Sequence, residues 1–159
     1  MRCFESLDDW RAARAVLGMT RIGFVPTMGA LHAGHASLLA RSVAESEYTV
    51  LSIYVNPTQF NDAGDLARYP RTLEQDLALA ESLGVDAVLL PRYEALYADG
   101  YRYRLDEMTF SRTLCGAHRP GHFAGVLTVV MKLLNLVRAT RAYFGEKDYQ
   151  QYLLIRDMC

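Results

Sequence analysis

R-I-G-F-V-P-T-M-G-A-L-H-A-G-H-A-S-L-L, running from Arg21 to Leu39, decides the fold of this chain. Ile22, Phe24 and Val25 form a short apolar run ending at Pro26. Such a run predicts a parallel strand covered on both faces. Gly29 and Gly34 follow it and allow backbone to approach whatever lies above the strand's carboxyl end. His32 and His35 fall near the start of the next helix, where free N–H groups and the helix dipole favour an anion. A strand end, a glycine turn, a helix start and two imidazoles together read as a nucleotide phosphate site.

Outward from this stretch, helices and strands alternate. On the amino-terminal side, Ser6 is placed to cap a helix from Leu7 to Leu17, with Trp10, Ala13 and Leu17 along one side and Gly18 closing it. On the other side a helix is expected from Gly34 to Ser46. The β-branched and aromatic run Tyr48 to Val55 then reads as a second strand. Asn56-Pro57 ends that strand and opens a loop to about Asp65. Thr72 with Gln75 predicts a capping box for a helix reaching Leu83. After Gly84, V-D-A-V-L-L-P is a third buried strand. Residues 97–114 change pattern: tyrosines and arginines interleave, and Y-R-Y-R-L alternates with period two, which predicts a short β excursion. A long apolar helix from His122 to Ala139, a strand from Arg141 to Phe144 and a helix from Glu146 to Met158 complete the chain. This order predicts an α/β fold with a parallel sheet flanked by helices.

The 159 residues are read as a single domain, 1–159, and 51% hydrophobic content supplies a core. Seventeen basic against 18 acidic residues leave a net charge of −1, without the basic excess of a nucleic-acid binder. The Tyr/Arg patch allows base stacking, but Asp99, Asp106 and Glu107 dilute it, so no nucleic-acid partner is expected. No apolar run is long enough for a membrane span, so no membrane partner is expected either. The opening residues lack a signal-peptide layout, and Cys3, Cys115 and Cys159 are odd in number and far apart. Both features point to a reducing cytoplasm and to cysteines of incidental, typically buried, kind. The last residues, Y-L-L-I-R-D-M-C, are still amphipathic helix, which reads as a truncated product.

Four clusters carry the chemistry: Pro26 to His35, Asn56 to Phe60, His118 to Gly125, and Gly145 to Gln151. The first, second and fourth directly follow predicted strands, and ligands of parallel sheets bind outside the strands' carboxyl ends. Lys147 beside a helix start is unfavourable unless a bound polyphosphate offsets the dipole. Asn56 and Gln59 taken alone read equally well as turn and loop residues. No metal-ligand spacing is present, so no protein-built metal site is assigned, and no nucleophile is paired with a base.

The motif P-T-M-G-A-L-H-A-G-H, with S-I-Y-V-N-P-T-Q-F, Y-P-R-T, R-P-G-H-F-A-G-V-L-T-V-V and F-G-E-K-D-Y-Q-Q, resembles the pantothenate synthetases (pantoate–β-alanine ligases). These are nucleotidylyltransferase-superfamily enzymes whose histidine signature ends in a Gly-His pair. The resemblance implies a Rossmann-like fold and ATP-dependent joining of (R)-pantoate to β-alanine through pantoyl adenylate, releasing AMP and pyrophosphate. It implies that Met28, Gly29, Ala30, Leu31, His32, Ala33, Gly34 and His35 cradle ATP, with His35 as proton donor. Gly145, Glu146, Lys147 and Asp148 line the same site, with His32 and Lys147 on the phosphates. Gln59 and Gln151 hold pantoate, while Asn56, Tyr69, Arg119 and His122 are lesser pocket candidates. Met28 lines the substrate pocket as well. The resemblance further implies Mg²⁺ with the ATP, Asp76 as a contributor to it, and a homodimer. The segment V-R-A-T-R lacks the Pro-Asp usual in the family after the position of Arg138. Nothing here corresponds to the family's carboxyl-terminal lid domain, so poor turnover by this chain alone is expected. Two other readings stay open: a non-catalytic ATP- and pantoate-binding dimerisation module, and a nucleotidylyltransferase making a dinucleotide.

Overall fold

The computed structural model describes residues 1–159. Its centre is β2, Ile22–Thr27, which pairs in parallel along its whole length with β3, Tyr48–Ile53. β4, Ala87–Leu89, pairs with β3, and β1, Arg2–Phe4, pairs with β4. β5, Arg141–Ala142, lies on the other side of β2. The sheet order is therefore β1-β4-β3-β2-β5, all parallel, and the chain reverses its direction of travel across the sheet between β2 and β5.

Alternation along β2 sorts the core into two layers. Ile22 and Phe24 point to one face, with Trp10 of α1 (Leu7–Leu17), Leu127 and Val137 of α7 (His122–Val137), and Leu154 of α8 (Tyr149–Met158). Val25 points to the other, with Leu39 of α2 (Ala33–Glu45) and Ala80 of α4 (Leu73–Ser82). Trp10 is fully buried, stacks edge-on against Phe4 with ring centroids 5.4 Å apart, and donates its indole N–H to the Leu136 carbonyl at 3.0 Å.

The strand does not stop at Pro26, which pairs in register with Ser52. The even-numbered residues of β2 face β5: the carbonyls of Ile22 and Phe24 accept from Thr140 and Tyr143. β5 has ended by the level of Pro26, so no ladder bond requires the missing N–H. The proline thus marks where the sheet opens between β2 and β5.

Several sequence expectations change. The period-two stretch within residues 97–114 forms no strand. After the short helix α5, Tyr93–Leu96, the chain continues in turns, a 3₁₀ turn at Phe110–Arg112 and the short α6, Cys115–His118. Side chains bind the backbone groups that a ladder would use. The Asp99 carboxylate accepts from Tyr103 N–H at 2.9 Å, Thr128 Oγ1 accepts from Leu105 N–H at 2.9 Å, and Glu107 Oε1 accepts from Thr109 N–H at 3.0 Å. Hydrogen bonds from Thr109 and Ser111 hold the Glu107 carboxyl down at about 2. Thr72 does not cap α4 through the expected box; its hydroxyl donates to Asp76 instead. The loop after Gln59 contains a further helix, α3, Ala63–Arg68, capped by Asp62. All three cysteines are exposed rather than buried. Ser6 does accept from Asp9 N–H, and Gly18, at φ +52°, ends α1 as expected. No helix is long and apolar enough to cross a membrane.

Candidate active site

The gap between β2 and β5 holds a cavity of about 250 Å³. This is the crevice that a parallel sheet opens where its strand order reverses. Met28, His32 and His35 form one wall, Asn56, Gln59 and Tyr69 a second, and Lys147, Asp148 and Gln151 a third. Three of the four sequence clusters therefore meet. Gly29, Ala30, Leu31, Ala33, Gly34, Gly145 and Glu146 do not line the cavity, nor do Arg119 and His122.

The two histidine rings are locked to backbone N–H groups at the start of α2. His32 Nδ1 accepts from Gly34 N–H at 3.1 Å, and His35 Nδ1 accepts from His32 N–H at 3.4 Å. This is a capping box built from imidazoles. An Nδ1 that accepts assigns the neutral ring's proton to Nε2. Both Nε2–H groups are thereby left free as donors. The rings sit 4.1 Å apart. Burial, then His32 alongside, pushes the His35 pKa below its ordinary value. A neutral His35 at pH 7 is thus a fixed hydrogen-bond donor.

Opposite them, Asn56 is almost fully buried and uses its whole amide. Its nitrogen donates to Gln59 Oε1 at 3.0 Å and to the Gly125 carbonyl at 3.2 Å; its oxygen accepts from Tyr97 at 2.9 Å and Thr58 at 3.0 Å. Gln59 is thus oriented with Oε1 occupied and Nε2 turned towards the Met28 sulfur at 3.3 Å. His122, though outside the cavity, donates from Nδ1 to the Gln59 carbonyl at 2.7 Å and fixes that backbone. Gly125 is required at this contact, because a Cβ there would lie 2.5 Å from the Thr58 carbonyl oxygen.

Sequence reading misses the apolar wall. Val126, Val129, Val130 and Leu133 of α7 line the cavity with Tyr54 and Phe144. Their i, i+3, i+4, i+7 spacing is visible in the sequence. It is the spacing of a core stripe, and the same residues are core; nothing in the pattern marks the end that stays open. A larger open groove, about 630 Å³, lies between α1, α5 and α7. Its Arg14 is committed to the Val137 and Arg138 carbonyls and its Arg11 to Asp8, so it offers no comparable convergence.

Burial lowers the pKa of both His35 and His122. Below about pH 6.5 the unfolded chain binds protons that the folded chain refuses. Stability is expected to fall as pH drops through that value and to level off below the folded pKa values. Urea midpoints between pH 8 and 5 will show the slope, and His122→Gln will reduce it. A midpoint flat across this window would contradict the assignment of two neutral histidines.

Residues 2–159 match the family model for pantoate-beta-alanine ligase. The chain is 60% identical over 158 residues to a pantothenate synthetase of Bdellovibrio bacteriovorus and 55% identical over 159 residues to one of Legionella pneumophila. These alignments cover 99% of the chain but only 61% and 63% of those relatives, so it spans about three fifths of their length. Among solved structures, the pantoate-beta-alanine ligase of Francisella tularensis, complexed with beta-gamma ATP and beta-alanine, superposes with a TM-score of 0.96 at 42% identity. That match covers 99% of this chain and 61% of the other. The pantothenate synthetase of Thermus thermophilus gives a TM-score of 0.92 at 46% identity, covering 99% and 56%.

Proposed function

The chain belongs to the pantoate–β-alanine ligase family, and on that premise we propose that it carries the nucleotide- and pantoate-binding part of an AMP-forming ligase. The reaction is the condensation of (R)-pantoate with β-alanine. A pantoate carboxylate oxygen attacks the α-phosphorus of ATP, the bond to the β-phosphate oxygen breaks, and pyrophosphate leaves with that electron pair. The β-alanine amine then attacks the acyl carbon of pantoyl adenylate. The acyl–phosphate bond breaks, AMP leaves, and the amine gives up a proton.

The observation that carries this reading is the mixed lining of one cavity: His32, His35 and Lys147 share it with the amides of Gln59 and Gln151, valines and Leu133. The histidines and the lysine suit phosphate oxygens whose charge grows as pyrophosphate leaves. The amides and the valines suit a small hydroxy acid with geminal methyl groups: amides for its oxygens, a valine wall for its methyls. Neither step needs an enzyme nucleophile, only position and charge. His35 donates from Nε2 to the phosphates, beside His32 and Lys147.

Mg²⁺ enters the proposal only as a companion of ATP. No three His, Cys, Asp or Glu side chains converge, and both oxygens of Asp76 accept backbone N–H groups. These residues do not fit a protein-built magnesium site, and no step is derived through one. A homodimer and a cytoplasmic location belong to the same proposal, on the family resemblance and the three free thiols.

Calorimetry on this chain with ATP and with pantoate, alongside an AMP-release assay, tests the reading. Binding of both ligands with little AMP is expected here, and full turnover in a protein of full family length. Failure to bind either ligand would overturn it. Transfer of the nucleotide to a phosphorylated acceptor, giving a dinucleotide, would replace it.

A further inference from the structure

In the loop between β2 and α2, no N–H of Gly29, Ala30 or Leu31 donates to a backbone carbonyl. The N–H of Gly29 donates to Thr27 Oγ1 at 3.2 Å. The N–H of Ala30 donates to Asp76 Oδ2 at 2.9 Å and that of Leu31 to Asp76 Oδ1 at 2.8 Å. Thr72 adds a bond from its hydroxyl to Oδ1 at 3.2 Å. Asp76 is 2% exposed and belongs to α4, and its charge also acts on His35, tending to raise its pKa against the stronger effect of burial. It touches neither His32 nor His35 by any hydrogen bond, and it does not line the cavity at β2 and β5.

The backbone it holds is otherwise unfavourable. Gly29 sits at φ +82° and Ala30 at φ +50°, the left-handed region that a residue with a Cβ avoids. The adjacent N–H groups of Ala30 and Leu31 both donate to one carboxylate, one to each oxygen. A Cβ on Gly29 would stand 3.0 Å from Asp76 Oδ2, so the loop rests directly on the carboxylate. Leu31 leads straight into His32, whose own position sets His35 through the paired caps.

We infer that Asp76 is a positioning residue for the nucleotide side of the site: it fixes Gly29–Leu31 and through them the Nε2 donors of His32 and His35. The inference deepens the ligase reading and rests on it for the identity of the nucleotide. It assigns the loop N–H groups to the protein rather than to the phosphates, and it assigns Asp76 to the loop rather than to a cation.

Asp76→Asn is the sharpest test. Asparagine has one acceptor oxygen, so one loop N–H is left facing an NH₂ donor. Thr72→Val, which removes only the third bond, is the milder companion in case the first variant folds poorly. Amide exchange followed by NMR on the chain should show Ala30 and Leu31 protected in the parent and exchanging on the order of 100-fold faster in Asp76→Asn. Calorimetry should show ATP affinity lowered about tenfold or more and pantoate affinity unchanged within about twofold. The Mg²⁺ concentration that half-saturates ATP binding should not move. Unchanged amide exchange, or loosened amides with ATP affinity intact, would overturn the inference. So would a shifted Mg²⁺ dependence with the amides still protected, which is the signature of a cation ligand. If the parent binds no ATP, the ligase reading fails, while the amide arm still decides whether Asp76 holds the loop.

Discussion

In a protein of full family length, His35→Ala is expected to lower AMP formation by about 10²- to 10⁴-fold, the range for removing a positioned proton donor. The loss follows from the ring's geometry. Nδ1 is committed to the His32 N–H, so the neutral ring's proton sits on Nε2, the atom proposed to donate to the leaving phosphates. Burial and the neighbouring His32 keep the ring neutral at pH 7, so the donor is an N–H and not a mobile charge. The fold should survive. His35 is only half-buried, and its loss removes one reciprocal cap from a helix whose other cap, His32 on Gly34, is untouched. A cap of this kind is worth about 1 kcal/mol. His35→Gln supplies an amide with both an acceptor and a donor, and should recover part of the rate. Single-turnover adenylate formation separates this chemistry from the later amine attack. A His35→Ala protein within about threefold of the parent rate would remove His35 from the first step.

What the sequence made legible divides along physical lines. β2 and the histidine turn were readable because the apolar run, the glycines and the helix start all constrain the same few residues. The meeting of Met28, Gln59 and Gln151 was readable in kind, since each follows a strand of a parallel sheet. β1 was not: three residues carry no periodicity, and only Phe4 is buried. The stretch Tyr101 to Leu105 alternates as a strand would, but a strand also needs an edge to pair with. Asp99 and Thr128 bind its N–H groups first, and Tyr101 takes φ +61°. The apolar wall of α7 was hidden for another reason. A valine facing a ligand and a valine facing Phe24 obey the same spacing. Asp76 was named only as a contributor to Mg²⁺; its hold on the loop was hidden because its partners are backbone groups 45 and 46 residues away, which no side-chain pattern records.

Asn56→Ala should be the most destabilising single change near the site, by about 3–5 kcal/mol. Both amide hydrogens and both acceptor directions of Asn56 are used, at 1% exposure. Truncation removes the partner of the Gly125 carbonyl and of Gln59 Oε1, and leaves the Tyr97 and Thr58 hydroxyls only each other, at 3.4 Å. Burial pushes Tyr97 up to about 12, so it stays a neutral donor and cannot adapt by ionising. Tyr97→Phe removes one donor while Thr58 still serves the Asn56 oxygen, and should cost only about 1 kcal/mol. Asn56→Asp is the discriminating variant. Its carboxylate would face two acceptors, the Gly125 carbonyl and Gln59 Oε1, so its folded pKa should lie above the unfolded value. Its deficit should therefore be largest at pH 7 and shrink as pH falls and the carboxyl becomes a donor. Guanidinium midpoints for the three variants at pH 7 and pH 5 give the ordering. Pantoate affinity should drop in Asn56→Ala with ATP affinity less affected, because Gln59 loses its fixed orientation while the histidine caps do not. If Asn56→Ala costs under about 1 kcal/mol, the amide is not the hub that orients this wall.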